Sequence, residues 1–369
     1  MSKAAQLAAL IGSGQAQGDK NLIINGAMAV DQRNSGSAQT GISDTSKFGV
    51  DRFQVRVDGS GSGRLTSQQV TDAPTGFKNS LKLTVTTADA SPTSAEGYAI
   101  RQAIEGQNIY SLGLGTADAK TMTVSFWVKS SLTGNFSLNV GNGDNTRVYG
   151  NLYAISSANT WEYKTVTLAG DTSGTWVTTN AAGLTVVFGL GGGSDRVVSA
   201  NAWGTQSGNT KTFTTGATNV AGTVNATWQI TGLQMEVGDV ATPFEHESFA
   251  ETLEKCRRYF IGVGNIYSDF WGATGSQMVG VYIGASGNNG YMPINVLNPT
   301  QMRATPTAAI NGTPKFTDFA SNRNNITGVG ITSQHLINFT YDGSQRTANE
   351  GIGVNASDGG VGISLSAEL

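Results

Sequence analysis

The chain is poor in charge. Lys, Arg, Asp and Glu make up 13% of its 369 residues, against about 25% in an average soluble domain. The 23 basic and 26 acidic side chains leave a formal net charge of -3. A protein that grips nucleic acid through its phosphates shows a basic stripe and a high isoelectric point, so nucleic acid is not an expected partner. Nor is an anionic membrane surface, which polybasic segments recognise. The one cysteine, Cys256, excludes an intrachain disulfide and leaves stability to the core or to oligomerisation. The two histidines, His246 and His335, lie far apart and leave too few ligands for a zinc site of the usual His and Cys type. No apolar run approaches the roughly 20 residues of a spanning helix, so membrane insertion is not expected. The opening Met1-Ser2-Lys3-Ala4-Ala5 lacks a basic region followed by a long apolar core, so no secretory signal is expected either.

What is abundant is glycine, 49 of 369 residues, nearly twice the usual share of about 7%. With many Ser, Thr and Asn, it predicts short strands joined by tight turns. Between Lys3 and Ile11, the residues Ala4, Leu7, Ala8, Leu10 and Ile11 share a helical stripe. At barely three turns such a helix is marginal unless it docks. Gly12 to Asp19 reads as a flexible connector. Residues 1–20 therefore read either as a frayed terminus or as an anchor that folds onto a partner through Leu7, Leu10 and Ile11.

From Asn21 to Phe244 the pattern is that of β-structure. Asn21–Asn25 reads as a short apolar strand. Phe53, Val55 and Val57 share one face of the next, and Leu81–Val85 alternates again. Met122, Val124, Phe126 and Val128 line one side of a long strand, followed by Phe136, Leu138 and Val140. Trp161, Tyr163, Thr165 and Thr167 form one face of another strand, with Val166 and Leu168 on the other. Leu184–Leu190 reads as a fully buried strand, and Thr227–Val237 closes the series. Ser248 followed by Glu251 is a capping-box signature, with Phe249, Leu253, Cys256 and either Tyr259 or Phe260 on one stripe. After Gly262 strands resume, near 277–285, 291–296, 307–310, 326–332, 336–341 and 360–366. The expectation is an all-β chain with a short N-terminal helix. A jelly-roll β-sandwich over 21–247 is followed by a linker helix over 248–261 and a second, smaller β-sandwich domain over 262–369.

Catalytic constellations are lacking. His246 and His335 sit in surface-like or interface-like settings, not between a hydroxyl and a carboxylate as a Ser-His-Asp site needs. Cys256, on an apolar stripe, reads as a buried structural thiol. The glycine stretches 113–116 and 189–195 lack the following helix that a phosphate loop requires and read as long turns. Acidic residues are scattered singly, so no carboxylate pair for glycoside hydrolysis can be read from spacing. Oxygen-rich loops suit a structural calcium ion, although no ligands can be named; no other cofactor is expected. Most tryptophans, Trp127, Trp161, Trp176, Trp203 and Trp228 among them, read as packing residues. Tyr267, Phe270 and Trp271 differ. They occupy an irregular, glycine-flanked stretch that would display them to a glycan or to a neighbouring subunit.

Asn21-Leu22-Ile23-Ile24-Asn25-Gly26-Ala27-Met28, followed by Asp31-Gln32-Arg33, resembles the opening of a large group of bacteriophage tail-fibre and virion-surface proteins. So do Val50-Asp51-Arg52-Phe53, Val124–Lys129, Trp228–Gly238, Ala241–His246 and Cys256–Phe260. Met302–Thr307 and the terminal Ile363–Leu369 resemble the C-terminal β domain of such fibres. Two positions depart from that pattern: Asp31 stands where a tryptophan is usual, and Tyr259-Phe260 replaces two tyrosines. The resemblance implies a carbohydrate-binding-module-like jelly roll and a non-enzymatic structural protein of the virion surface, assembled in the host cytoplasm. The leading expectation is a tail fibre or receptor-binding appendage, attached to other virion proteins through residues 1–20. Its C-terminal domain would face the host, where a cell-surface glycan is a candidate partner, and a homotrimer is preferred. A capsid decoration protein is the alternative, and a polysaccharide depolymerase the more distant one.

Overall fold

The computed structural model describes residues 20–43, 46–207, 210–263, 282–283, 289–293, 302–310, 314–317, 322–333, 336–341, 353–356 and 363–369. The N-terminal helix, with Leu7, Leu10 and Ile11, lies outside the described residues. The chain divides into two compact units, with the boundary between Phe249 and Ala250.

The first unit is a β-sandwich. Its strands are β1 (Gln39–Ile42), β2 (Ser46–Val50), β3 (Phe53–Asp58), β4 (Arg64–Val70), β5 (Ser80–Thr87), β6 (Gly97–Glu105), β7 (Met122–Ser130), β8 (Gly134–Asn142), β9 (Arg147–Ile155), β10 (Glu162–Leu168), β11 (Ala182–Gly192), β12 (Val197–Val198), β13 (Trp203–Thr205), β14 (Phe213–Thr214) and β15 (Thr227–Val237). One sheet has the order β1-β4-β5-β15-β7-β10 and the other β13-β9-β8-β11-β6-β3-β2. The chain passes repeatedly from one sheet to the other, and the first sheet is completed only when β15 enters between β5 and β7.

Alternation decides the layers. Leu83, Val85, Met122, Val124, Phe126, Trp228 and Ile230 point inward from the first sheet and meet Phe53, Val55, Ile100, Leu138, Val186 and Phe188 from the second. At the centre, Phe126 packs edge-on against Tyr153 and Phe188, with ring centroids 5.0 Å apart in both pairs. The indole N–H of the fully buried Trp228 donates to the Tyr153 hydroxyl at 3.1 Å. Burial pushes the Tyr153 phenol pKa far up, so this hydroxyl stays protonated.

Asn21–Asn25 is not a strand but enters a turn over residues 23–27. Its apolar residues are buried for a different reason: the turn plugs the sandwich and is clasped by side chains. Gln102 accepts from the Ile24 amide at 2.8 Å and donates to the Ile24 carbonyl at 2.9 Å. Asn25 adopts a left-handed conformation, φ 62°. Its side chain donates to the Val30 and Asp51 carbonyls and accepts from the Val30 amide. Gly26 lies so close to β15 that an added Cβ would sit 2.1 Å from the Leu233 carbonyl oxygen.

Asp51, 1% exposed, accepts from both the backbone and the side chain of Gln32 and pairs with Arg33. Asp31, at the position where the resemblance expects tryptophan, caps the next turn by accepting from the amides of Asn34 and Gly36. On the other side, Asn21 accepts from the Met235 amide and donates its own amide to Glu245, whose amide in turn donates to Gln234. The fully buried Glu236 accepts from Gln234 and twice from Thr242. The segments 21–33, 50–53, 228–238 and 241–246, distant in sequence, thus form one polar clasp.

The glycines at 189–192 are not a turn. They belong to β11, and their missing side chains let the 210–214 segment lie on the strand; a Cβ on Gly189 would approach the Thr212 carbonyl oxygen to 2.2 Å. Helix Phe249–Arg257 begins at the boundary and leads into β16 (Phe260–Val263) of the second unit, which pairs with β24 (Ile363–Ser366) beside β19 (Thr307–Ile310). Cys256 is buried and unbridged. A further antiparallel sheet contains β17 (Tyr282–Ile283), β18 (Asn289–Pro293), β22 (Leu336–Tyr341), β21 (Asn322–Ser333), β20 (Pro314–Thr317) and β23 (Gly353–Ala356), in that order.

Replacing Asn25 by Ala removes three buried hydrogen bonds and the residue best suited to its φ. Since each buried polar group left unpaired costs about 1–3 kcal/mol, a loss of about 3 kcal/mol is expected in urea unfolding, with Asn25→Gly intermediate because it keeps the backbone freedom.

Candidate carbohydrate-binding surface

The outer face of the first sheet carries an aromatic cluster. With Met122, Val124, Phe126 and Val128 inward, Thr123, Ser125, Trp127 and Lys129 face out. On β10 the directly opposed outward residues are Thr167, Thr165 and Tyr163. Trp127 and Tyr163 form a cross-strand pair with ring centroids 5.4 Å apart and planes tilted by 51°. Tyr163 is 44% exposed.

Beside this pair, the Lys129 ammonium lies 5.1 Å from the centre of the Trp161 ring. Asp72 joins Lys129 to Trp161. One of its oxygens accepts from the Trp161 indole N–H at 3.3 Å and the other from Lys129. The Asp72 carbonyl is itself held by the Ser80 hydroxyl at 2.6 Å. The hydrogen bond from Lys129 holds the Asp72 carboxyl below its ordinary pKa. Trp161 is thereby held on both its face and its edge.

A second feature sits at one end of the same sandwich. A cavity of about 420 Å³ is lined by Tyr110, Leu114, Asp118, Lys120 and Trp176, among others, within the size range of small-ligand sites. The Trp176 indole N–H donates to the Ser173 carbonyl at 3.1 Å, and its ring meets Trp203 edge-on at 5.6 Å. Tyr110, by contrast, is 74% exposed at the rim.

Aromatic rings beside carboxylate, ammonium and hydroxyl groups suit a ligand that has both an apolar face and hydroxyls. The rings take the C–H face, and the polar groups serve the hydroxyls. Tyr267, Phe270 and Trp271 lie outside the described residues, as does His335. The exposed His246 packs against Phe77 and Phe244. Of the tryptophans read as packing residues, Trp228 and Trp176 are buried, whereas Trp127, Trp161 and Trp203 are only partly so. Asp72 and Tyr110 were missed because both stand in connections with no periodicity to mark them. Among the described residues, no group of three or more His, Cys, Asp or Glu side chains is placed to hold a metal ion.

No family model matches the chain, and no curated protein matches it in sequence. Solved structures do show a likeness. A tailspike protein 4 enzymatically active domain from bacteriophage CBA120 is 12% identical over 59% of this chain and 21% of its own, with a TM-score of 0.30. A putative sugar binding protein from Bacteroides thetaiotaomicron is 12% identical over 59% of this chain and all of its own (100%), at 0.33. A family 11 carbohydrate-binding module from Clostridium thermocellum, in complex with a mixed-linked tetrasaccharide, is 9% identical over 56% and 98%, at 0.29. The chain thus spans about a fifth of the tailspike structure's length. At these values the likenesses assign no function.

The lowered Asp72 pKa fixes the sign of a pH effect. Its interactions are intact above the unfolded carboxylate range and are lost as pH falls through the lowered folded value, below about pH 4. Acidification should therefore shift Trp161 fluorescence. Asp72→Asn should remove that transition, as should Trp161→Phe.

Proposed function

We propose that this chain is a structural protein of a phage virion, of the tail-fibre or receptor-binding appendage kind, that contributes to host attachment by holding a surface glycan. The observation that carries the reading is the set of Trp127, Tyr163 and Trp161 on the outer sheet face. The virion setting rests on the motif series that runs from Asn21 to Leu369. A non-enzymatic role fits the same face. Glycoside hydrolysis works with two carboxylates, whereas Asp72 is engaged by Lys129 and Trp161. In this reading three copies associate about one axis, and weak sites gain strength by acting together.

The experiment is retention on immobilised host-surface polysaccharide. Trp127→Ala and Tyr163→Ala should each weaken binding about tenfold, equivalent to about 1.4 kcal/mol, while leaving the unfolding midpoint within a few degrees. Unchanged retention in both variants refutes the assignment of this face. Loss of polymer length on incubation refutes the non-enzymatic role. Light scattering should give a single species of three chains, whether or not reductant is present.

A further inference from the structure

The opposite sheet carries an unbalanced cluster of guanidinium groups on its outer face. Arg101 on β6 is directly opposite Gln54 on β3, and Arg56 lies two residues further along β3 on the same side. Arg56 directs two nitrogens at one oxygen of Asp58, at 3.2 and 2.6 Å. Arg196 reaches the other Asp58 oxygen at 3.8 Å and gives its remaining bonds to the carbonyls of Ala95 and Thr210. Asp58 is thereby shared between two arginines.

Arg101 has no such partner. Its Nε donates to Gln54 at 2.7 Å, and its two terminal nitrogens meet no acceptor among the described residues. Of the charges that act on it, Arg56 and Arg52 repel and only Asp58 attracts. Burial and these like charges push its pKa down to about 10. The surroundings are half closed: the Arg56, Asp58 and Arg196 side chains are 17%, 14% and 8% exposed. Arg101 itself is only partly buried, so its terminal nitrogens reach solvent, where their planar fork matches a carboxylate or phosphate-type oxyanion in a bidentate manner.

We infer that Arg101, with Arg56 beside it, forms a receptor for a single oxyanion group, a carboxylate or a phosphate or sulfate ester, on the face of the sandwich opposite the aromatic cluster. Such a group comes either from a free inorganic ion or from an acidic sugar, and the chemistry at Arg101 is the same for both. The inference does not depend on glycan binding by Trp127 and Tyr163.

The test is thermal unfolding of the full chain at constant ionic strength, with chloride exchanged for sulfate, inorganic phosphate or glucuronate, and glucose as the neutral control. A ligand that binds only the native state raises the midpoint in a saturable way. The expected result is a saturable rise of about 2–4 °C with at least one of these anions, absent with glucose. It should be unchanged in Tyr163→Ala and abolished in Arg101→Gln. Arg101→Lys, which keeps the charge but loses the fork, should respond at least fivefold more weakly. A response to glucuronate alone assigns the site to acidic sugars, and a response to sulfate or phosphate alone assigns it to inorganic ions. Without added anion, Arg101→Gln should unfold no earlier than the parent chain, because it removes a repelled charge. No saturable rise with any anion, or an equal rise in Arg101→Gln, overturns the inference.

Discussion

The first unit depends on a buried polar clasp at the place where its two chain ends meet. A jelly-roll-like sandwich buries its apolar side chains almost regardless of how its ends are secured, but β15 is an end, and it lies between β5 and β7 in the middle of a sheet. Whatever fixes β15 fixes the sheet. Asn21, Gln234, Glu236 and Glu245 do so with directional bonds, anchored on the fully buried Gln234 and Glu236. In such surroundings a satisfied network is specific and a broken one is expensive. Register follows as well: the bulge in β15 between Thr231 and Gln234 requires Gly232 at a positive φ of 61°, with the Phe77 ring lying over it.

Most of the strand series was legible because alternation is a local signal. Phe53-Val55-Val57 and Met122-Val124-Phe126-Val128 face the core as their spacing predicts. The outward position of Trp127 and Tyr163 follows from the same alternation. Three kinds of feature were not legible. Asn21–Asn25 has the composition of a strand, but burial there comes from Gln102 and Leu233, far away in sequence. The glycines of β11 look like a turn, but they answer to Thr212 and Phe213 packing against them. β6, with Arg101 inside an otherwise buried stretch, shows no clean period because both of its faces are largely covered. The candidate site was less legible: Trp127 and Tyr163 lie on strands with clear periods, but Trp127 and Trp161 read as packing residues, and Asp72, which joins Trp161 to Lys129, sits in a connection.

The two outer faces of the sandwich differ in kind. One presents Tyr163 and the Thr165 and Thr167 hydroxyls beside the partly buried Trp127 and Trp161, with Lys129 paired to Asp72. The other is partly covered by the excursion from Ser194 to Thr214, with Thr214 bonded to Ser137 and Asn139 beneath it, and it concentrates arginines around Asp58. A chain with so few charges does not scatter them here: the arginines of β3 and β6 stand on one face of one sheet.

The clasp also settles how the first unit carries tension. Lys20 bonds to Thr242 and to the Pro243 carbonyl, so the chain enters and leaves the sandwich at one spot. A pull applied through residues 20 and 246 is borne by the bonds of Asn21, Gln234, Glu236 and Glu245, with the sandwich body hanging beside the line of force. Tension between these ends meets the clasp before it meets the strand ladders that hold β15 to β5 and β7.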